Sequence, residues 1–338
     1  MPRLRRSDCS GPGLTRIGRG RGFSYVEEDG TPIEDREVVE RIRALAIPPA
    51  WKDVWICPQA NGHIQATGID DAGRKQYLYH QKWREDRDRE KFDEMLDFAA
   101  ALPTLRRSVV DDLGRRGLVR DRVLACAVRL LDLGFFRIGS ERYADENETY
   151  GLATLRKTHL RIERGAAIFD YKAKGAKRHR RTIEDELVLP TLRSLKKRDG
   201  GGAELLAFRQ GRTGWVDVRS SDINDYLKQV SGGDYSAKDF RTWNATVLAA
   251  VAVAGRNGEA DTKAARRRIA NAAVKQVAGY LDNTPAVCRS AYIDPRVFDR
   301  FESGETIERP LQRIVDDSGP DEFPDREKIE EAVRSLIA

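Results

Sequence analysis

The sequence predicts an α+β fold in two unequal parts, a small β-rich N-terminal domain and a larger, mainly α-helical domain that contains a short β-meander. Three patterns predict it. Short β-branched and aromatic runs separated by turn dipeptides fill residues 23–88, apolar residues at helical spacing dominate afterwards, and residues 160–183 interrupt that spacing. A chain of 338 residues is long enough for two separate cores. The divisions are a basic flexible arm over 1–22, the β-rich domain over 23–88 and the helical domain over 89–338.

The arm, MPRLRRSDCSGPGLTRIGRGRG, is rich in Gly and Arg and shows no hydrophobic period. From Phe23 the runs FSYVEEDGTPI and VWICP read as strands, with turns at Asp29-Gly30 and Asn61-Gly62. Between them Asp35 caps a short helix that runs through Ala46 and is stopped by Pro48-Pro49. GHIQATGIDDAGRKQYLYH reads as two strands around a turn at Ala72-Gly73. After the charged stretch WREDRDREKFDE, the segment DRVLACAVRLLDLG places Leu124, Ala127, Val128 and Leu131 on one helical face, with Asp121 as cap and Gly134 as stop. LRIERGAAIFDYKAKGAKRHRRTI carries Gly165 and Gly175 between β-type residues, which gives three strands with Lys174 at a hairpin tip. Helices resume at SSDINDYLKQV, at FRTWNATVLAAVAVAG and at DTKAARRRIANAAVKQVAGYL, where alanines allow close packing.

Composition narrows the function classes. Hydrophobic residues make up 40% and charged residues 34%, so the chain is globular, and 60 Lys and Arg against 54 Asp and Glu leave +6, a bias that suits a polyanion. The basic residues gather in the arm, at Arg74-Lys75, in KAKGAKRHRR (172–181) and in KAARRR (263–268), which predicts one basic face. No apolar run is long enough to span a bilayer and no signal core follows the basic start, so a cytoplasmic protein is expected. Cys9, Cys57, Cys126 and Cys288 show no paired spacing, which argues against disulfides and against a zinc site. No G-x-x-x-x-G-K-[ST] loop offers an ATP site, and the glycines at 18, 20 and 22 do not follow a strand as a dinucleotide fingerprint would. His63, His80, His159 and His179 stand singly, without metal-ligand spacing, and read as surface or strand residues. No cofactor, metal or nucleotide is therefore expected.

What remains is a set of cations around tyrosine-containing segments: FFRIGSERY (135–143), YKAKGAKR (171–178), AKDFRTWNAT (237–246) and LDNTPAVCRSAYI (281–293). An arginine fork gives two hydrogen bonds to phosphoryl oxygens and stays charged, so two arginines and a lysine make a phosphate clamp. A tyrosine at the edge of such a clamp can act as a nucleophile, because positive charge favours its phenolate. Taken singly, each of these residues is more often a solvated or salt-bridged one.

In these segments the chain resembles the type IB DNA topoisomerases, and within them the small poxvirus-like branch found in bacteria. The resemblance runs from about Phe23 to Tyr292 and rests on order: an Arg after a helix, a Lys on a β-hairpin, an Arg in K-x-x-R, and a Tyr soon after N/H-T-P. It implies a tyrosine recombinase/topoisomerase IB-like catalytic domain with Arg137, Lys174, Arg241, Asn283 and Tyr292 as catalytic residues, Tyr292 being the nucleophile. Lys238 corresponds to the supporting lysine of K-x-x-R. Asn283 stands where many members carry histidine; its amide can donate to a phosphate oxygen but adds no charge. In GRKQYLYH the residues Gln76, Tyr77 and Tyr79 match positions that meet DNA, with Tyr77 and Tyr79 on one strand face and Gln76 on the other.

The resemblance further implies a clamp around duplex DNA, a 3′-phosphotyrosyl intermediate, rotation and religation without ATP or metal, and a monomer in solution. Two rivals remain. A tyrosine recombinase shares the Arg, Lys, Arg and Tyr chemistry, although residues 23–88 do not look like its usual helical DNA-binding domain. A non-catalytic architectural protein would need the basic face and not the tyrosine.

Overall fold

A computed structural model describes all residues except 1, 2, 21, 140, 142, 143, 145, 146, 213 and 319–323. The chain separates into two compact units, Met1–Lys91 and Phe92–Ala338.

The first unit is built on one antiparallel sheet in the order β2-β1-β3-β4-β5, formed by β1 (Leu14–Arg19), β2 (Gly22–Val26), β3 (Lys52–Ile56), β4 (Ile64–Ile69) and β5 (Lys75–Tyr79). Its core is small: Leu14, Val54, Ile56 and Ala66 pack with Ile42 of helix α1 (Arg36–Ala44). Asp35 caps α1 as expected, accepting from the Glu37 and Val38 amides.

The flexible-arm expectation for 1–22 needs correction. Residues 14–19 are β1, an interior strand of the sheet, because Leu14 is an apolar anchor and the strand pairs with both β2 and β3. Further upstream, Arg5 bridges Gly62, and Ser7 bonds His63 through its amide and Ile64 through its hydroxyl. Gly62 permits this close approach, since a Cβ there would lie 2.6 Å from Ser7 Oγ.

Helix α2 (Gln81–Leu113) starts two residues before the charged stretch and runs through it, earlier than the sequence pattern suggests, because its first turns are solvated and only from Phe92 onward do apolar residues recur at helical spacing. In the second unit α3 (Arg120–Gly134) is the central helix. Residues 123–128 are all buried, so the helix is apolar on nearly every side rather than along the single face expected. Its ends also differ from expectation. Val119, not Asp121, is the N-cap, and the chain leaves the helix through Phe135 in the left-handed region (φ 56°, ψ 23°), not through Gly134. Gly134 is required for packing, because a Cβ there would meet the Phe136 ring at 2.2 Å.

Around α3 lie the three-stranded sheet β6 (Leu160–Glu163), β7 (Ala166–Lys172) and β8 (Arg178–Ile183), in sequential antiparallel order, and helix α4 (Leu189–Lys197). The hairpin β9 (Ala207–Gln210) and β10 (Gly214–Asp217) and helices α5 (Ser220–Ser231), α6 (Ala237–Ala254) and α7 (Lys263–Leu281) follow. The chain closes with α8 (Pro285–Ala291), α9 (Pro295–Glu302), α10 (Glu308–Asp316) and α11 (Arg326–Ile337).

A buried charge network joins α2, α3, α6 and α11. Arg106 donates to Asp132 (3.0 Å) and Glu330 (2.7 Å), and Arg326 donates to Asp132 (2.7 Å) and to Asn244 Oδ1 (3.0 Å). Burial alone would raise the Asp132 carboxyl, but Arg326 and Arg106 outweigh it and hold it below the usual carboxylate range. Asp132→Ala would remove one of the two buried carboxylates that pair with Arg106 and the one that also pairs with Arg326, and we expect it to cost about 3–5 kcal/mol of stability. Urea unfolding followed by circular dichroism checks this. The Asp132 contribution is present above the unfolded carboxyl pKa and should fade as pH falls toward the depressed folded value.

Candidate active site

Four elements meet behind the C-terminal end of α7. The left-handed exit of α3 at Phe135 buries Phe136 and directs the next residue, Arg137, toward residues 281–283. Its Nη2 donates to Asp282 O (3.1 Å), to Leu281 O (3.4 Å) and to Asn283 Oδ1 (2.7 Å). Ser140, Arg142 and Tyr143 of the same segment lie outside the described residues.

Helix α6 supplies the second cation. Ser236 caps it, accepting from the Lys238 amide, and Asp239 accepts from Ser236 N (2.8 Å), which fixes the first turn. Arg241 then falls in the wholly buried stretch 241–246 and is 4% exposed. It donates through Nη1 to Phe135 O and through Nη2 to Leu281 O (2.8 Å). Burial, and after it the like charge of Arg137, holds this guanidinium below its ordinary value, while the nearby Tyr292 phenol pulls the other way. Lys238 lies three residues earlier on α6 but is exposed, and its ammonium makes no hydrogen bond or ion pair with the described residues.

Helix α7 ends at Asp282 in the left-handed region (φ 52°, ψ 41°), and Thr284 with Pro285 starts α8. Asn283 occupies the turn between them. Because arginine only donates, the atom of Asn283 facing Arg137 is the carbonyl oxygen, and its Nδ2 points away, buried and without a partner. The short helix α8 delivers Tyr292 at its C-cap, half-buried, between buried Cys288 and Ile293. Thr246 of α6 fixes that backbone: its hydroxyl, which donates to Thr242 O (2.9 Å), accepts from Asp294 N (3.1 Å). The Arg241 guanidinium lies 5.3 Å from the centre of the Tyr292 ring.

Arg137, Arg241, Asn283 and Tyr292 are thus brought together. Lys174 sits at the tip of the β7–β8 hairpin in a single turn, Lys174–Ala176, exposed, with Gly175 (φ 76°) and Ala176 (φ 58°) left-handed. In the first unit, Tyr77 and Tyr79 are exposed on one face of edge strand β5 and stack at 6.2 Å between ring centres. Gln76 points to the other face and donates to Asp70 Oδ2 (2.9 Å).

Sequence reasoning missed three residues that border the site. His179 and Arg181, alternate residues of β8, both reach the Asp282 carboxylate, His179 Nδ1 at 2.8 Å and Arg181 Nη2 at 3.5 Å. Their period-2 spacing after the lysine hairpin was the available signal. Among the described residues, seven buried side-chain N or O atoms lack a partner, and four of them belong to His179, Arg181, Arg241 and Asn283. Such a concentration marks a site built for a polar ligand, since buried polar groups are otherwise nearly always paired. The unpartnered N–H groups of Arg241, Arg181 and Asn283 suit anionic oxygens.

Comparison with known proteins identifies the family. The profile of the eukaryotic DNA topoisomerase I catalytic core matches residues 80–314, and that of the bacterial DNA topoisomerase IB N-terminal domain matches residues 22–70. DNA topoisomerase 1B of Acanthamoeba polyphaga mimivirus is 30% identical over 286 residues, covering 83% of this chain and 85% of that protein. DNA topoisomerase 1 of rabbit fibroma virus is 23% identical over 328 residues, covering 90% of this chain and 95% of its own length. DNA topoisomerase 1 of Schizosaccharomyces pombe is 27% identical over 161 residues, which is 47% of this chain and 19% of the yeast protein. Since the core match spans well over half of the chain and includes every residue gathered around the 281–283 turn, the chain belongs to the type IB DNA topoisomerases, isomerases that act on DNA.

Proposed function

We propose that this chain relaxes supercoiled duplex DNA by transient cleavage of one strand through Tyr292, without ATP or metal. The Tyr292 hydroxyl oxygen, giving up its proton to solvent, attacks a backbone phosphorus, the bond from phosphorus to the 5′ oxygen breaks, and a 3′-phosphotyrosyl ester and a free 5′-hydroxyl result. The freed end rotates, and the 5′-hydroxyl then attacks the ester to restore the phosphodiester. The ester conserves the bond energy, so religation needs no nucleotide.

Arg137 and Arg241 stabilise the negative oxygens of the pentacoordinate transition state, and the positive charge over the Tyr292 ring favours charge developing on its oxygen. Asn283 donates through Nδ2 to a non-bridging oxygen, and Lys174 protonates the leaving 5′ oxygen. The single observation that carries this assignment is the convergence of Arg137 and Arg241 on Leu281 O beside Asn283, whose buried Nδ2 has no partner, with Tyr292 under Arg241. Substrate phosphate would take over the donors that now bond backbone carbonyls. Gln76, Tyr77, Tyr79 and Lys238 are assigned to DNA contacts, and the protein acts as a monomer that clamps duplex DNA in the cytoplasm, associated with the nucleoid.

Incubation with negatively supercoiled plasmid in EDTA, without ATP, tests this directly. Full conversion to relaxed topoisomers is expected. Action only at paired specific sites would indicate a recombinase, and no topological change after protein removal would indicate an architectural protein. Gln76→Ala and Tyr77→Ala should shift the map of cleavage sites more than the cleavage rate, as befits contacts away from the reacting phosphate. Unchanged maps for both variants would remove β5 from site recognition.

A further inference from the structure

We propose that His179 is a positioning residue for this reaction: its bond to Asp282 ties the strand carrying the Lys174 hairpin to the turn carrying Asn283. The proposal rests on the roles given above to Tyr292, Lys174 and Asn283. His179 lies five residues after Lys174, near the start of β8, and pairs in register with Tyr171 of β7. The side chain is 2% exposed, and its ring stacks on Tyr171 (5.0 Å between centres, 10° between planes) and on Phe136 (6.0 Å, 7°). Phe136 immediately precedes Arg137, so one stacked column borders both the hairpin and the first arginine.

A carboxylate can only accept, so the atom of His179 facing Asp282 Oδ2 at 2.8 Å is a protonated Nδ1. Burial and the neighbouring Arg181, with Arg241 and Arg137 beyond it, push the imidazole down to about 4 against the opposing pull of Asp282. The ring is therefore neutral at working pH and donates a hydrogen bond without bringing a further charge. Arg181 also reaches this carboxylate, at 3.5 Å, and donates to Tyr280 O.

The two sides of this tie differ in burial. Residues 281–283 are also held to the end of α7 by backbone bonds, from Asp282 N to Gly279 O (3.4 Å) and from Asn283 N to Ala278 O (3.1 Å), so they stay in place if His179 lets go. The hairpin tip is exposed and passes through two left-handed residues. Loss of the His179 bond should therefore displace Lys174 rather than Asn283. The consequence falls on protonation of the leaving oxygen and spares the non-bridging oxygens.

The test uses the full chain and single-turnover cleavage of two duplexes, one with the ordinary 5′ bridging oxygen and one with sulfur in its place. His179→Phe keeps a flat ring in the stack and removes the donor. His179→Asn loses the ring and keeps an N–H near the Nδ1 position. The Phe variant should cut the oxygen substrate up to about 10²-fold more slowly, the loss expected when a reacting group is misplaced by about 1 Å, and recover most of that loss on sulfur. The Asn variant should cut the oxygen substrate faster than the Phe variant. A purely structural role for the ring predicts the reverse order, with equal losses on both substrates, and that result overturns the proposal. Thermal melting of both variants, and of Asp282→Ala, identifies any loss due to unfolding, and Asp282→Ala, which removes the acceptor, should reproduce the oxygen-specific defect. Lys174→Ala runs alongside. If sulfur rescues Lys174→Ala but not His179→Phe, the positioning role alone fails; if it rescues neither, the role of Lys174 as leaving-group acid fails and the His179 proposal with it.

Discussion

Tyr292→Phe should form no covalent adduct with DNA while binding duplex almost as tightly as the unchanged protein. The substitution removes one oxygen and keeps the ring beneath Arg241, so the fold and the clamp of cations around residues 281–283 persist. Deleting the nucleophile of a covalent enzyme removes on the order of 10⁶-fold in rate, which puts residual cleavage below detection. Denaturing gels with end-labelled DNA read the adduct, and a gel shift reads the binding. Tyr280, exposed and stacked on Phe135 at 6.0 Å, is the alternative nucleophile, and an adduct formed by the Phe variant would point to it.

The second large effect is expected at Lys174. The 5′ alkoxide is a poor leaving group unless it is protonated as the bond breaks, and an ammonium is an inefficient acid near neutrality unless other cations stand close. Lys174→Ala should slow cleavage of ordinary DNA by about 10²–10⁴-fold, the range typical of general acid catalysis. Sulfur at the bridging position leaves without a proton, so that substrate should recover most of the loss. Arg241→Ala should gain little from sulfur, because its donors face the non-bridging oxygens. Equal rescue of both variants, or none for Lys174→Ala, would make Lys174 a simple phosphate contact.

The fold class was legible because strand and helix patterns occupy separate stretches. FSYV, VWICP and QYLYH alternate or run apolar between turn dipeptides, and the alanine-rich segments after residue 220 keep helical spacing. Context decided the rest. β1 was hidden because Leu14 and Ile17 stand among Gly and Arg, and only the presence of β2 and β3 on either side makes a strand of them. The exit from α3 was misplaced because Gly134 looks like a helix stop, whereas the structure uses it for contact with Phe136 and gives the left-handed turn to Phe135.

In the site, Arg137, Arg241, Asn283 and Tyr292 could be named from their order along the chain. What order cannot convey is that both arginines converge on Leu281 O, since a backbone carbonyl leaves no trace in residue type. His179 looked like an ordinary strand histidine. Its importance depends on Asp282, 103 positions away in sequence and 2.8 Å away in space.

The most direct measurement of the central claim is to trap the covalent complex, digest the DNA to a short remnant and the protein with trypsin, and locate the nucleotide mass. Trypsin separates the two candidate tyrosines, because cleavage after Lys275, Arg289 and Arg296 puts Tyr280 in the peptide 276–289 and Tyr292 in SAYIDPR, residues 290–296. The proposed mechanism predicts a 3′-linked nucleotide on SAYIDPR. A nucleotide on the 276–289 peptide, or on any other, would contradict it.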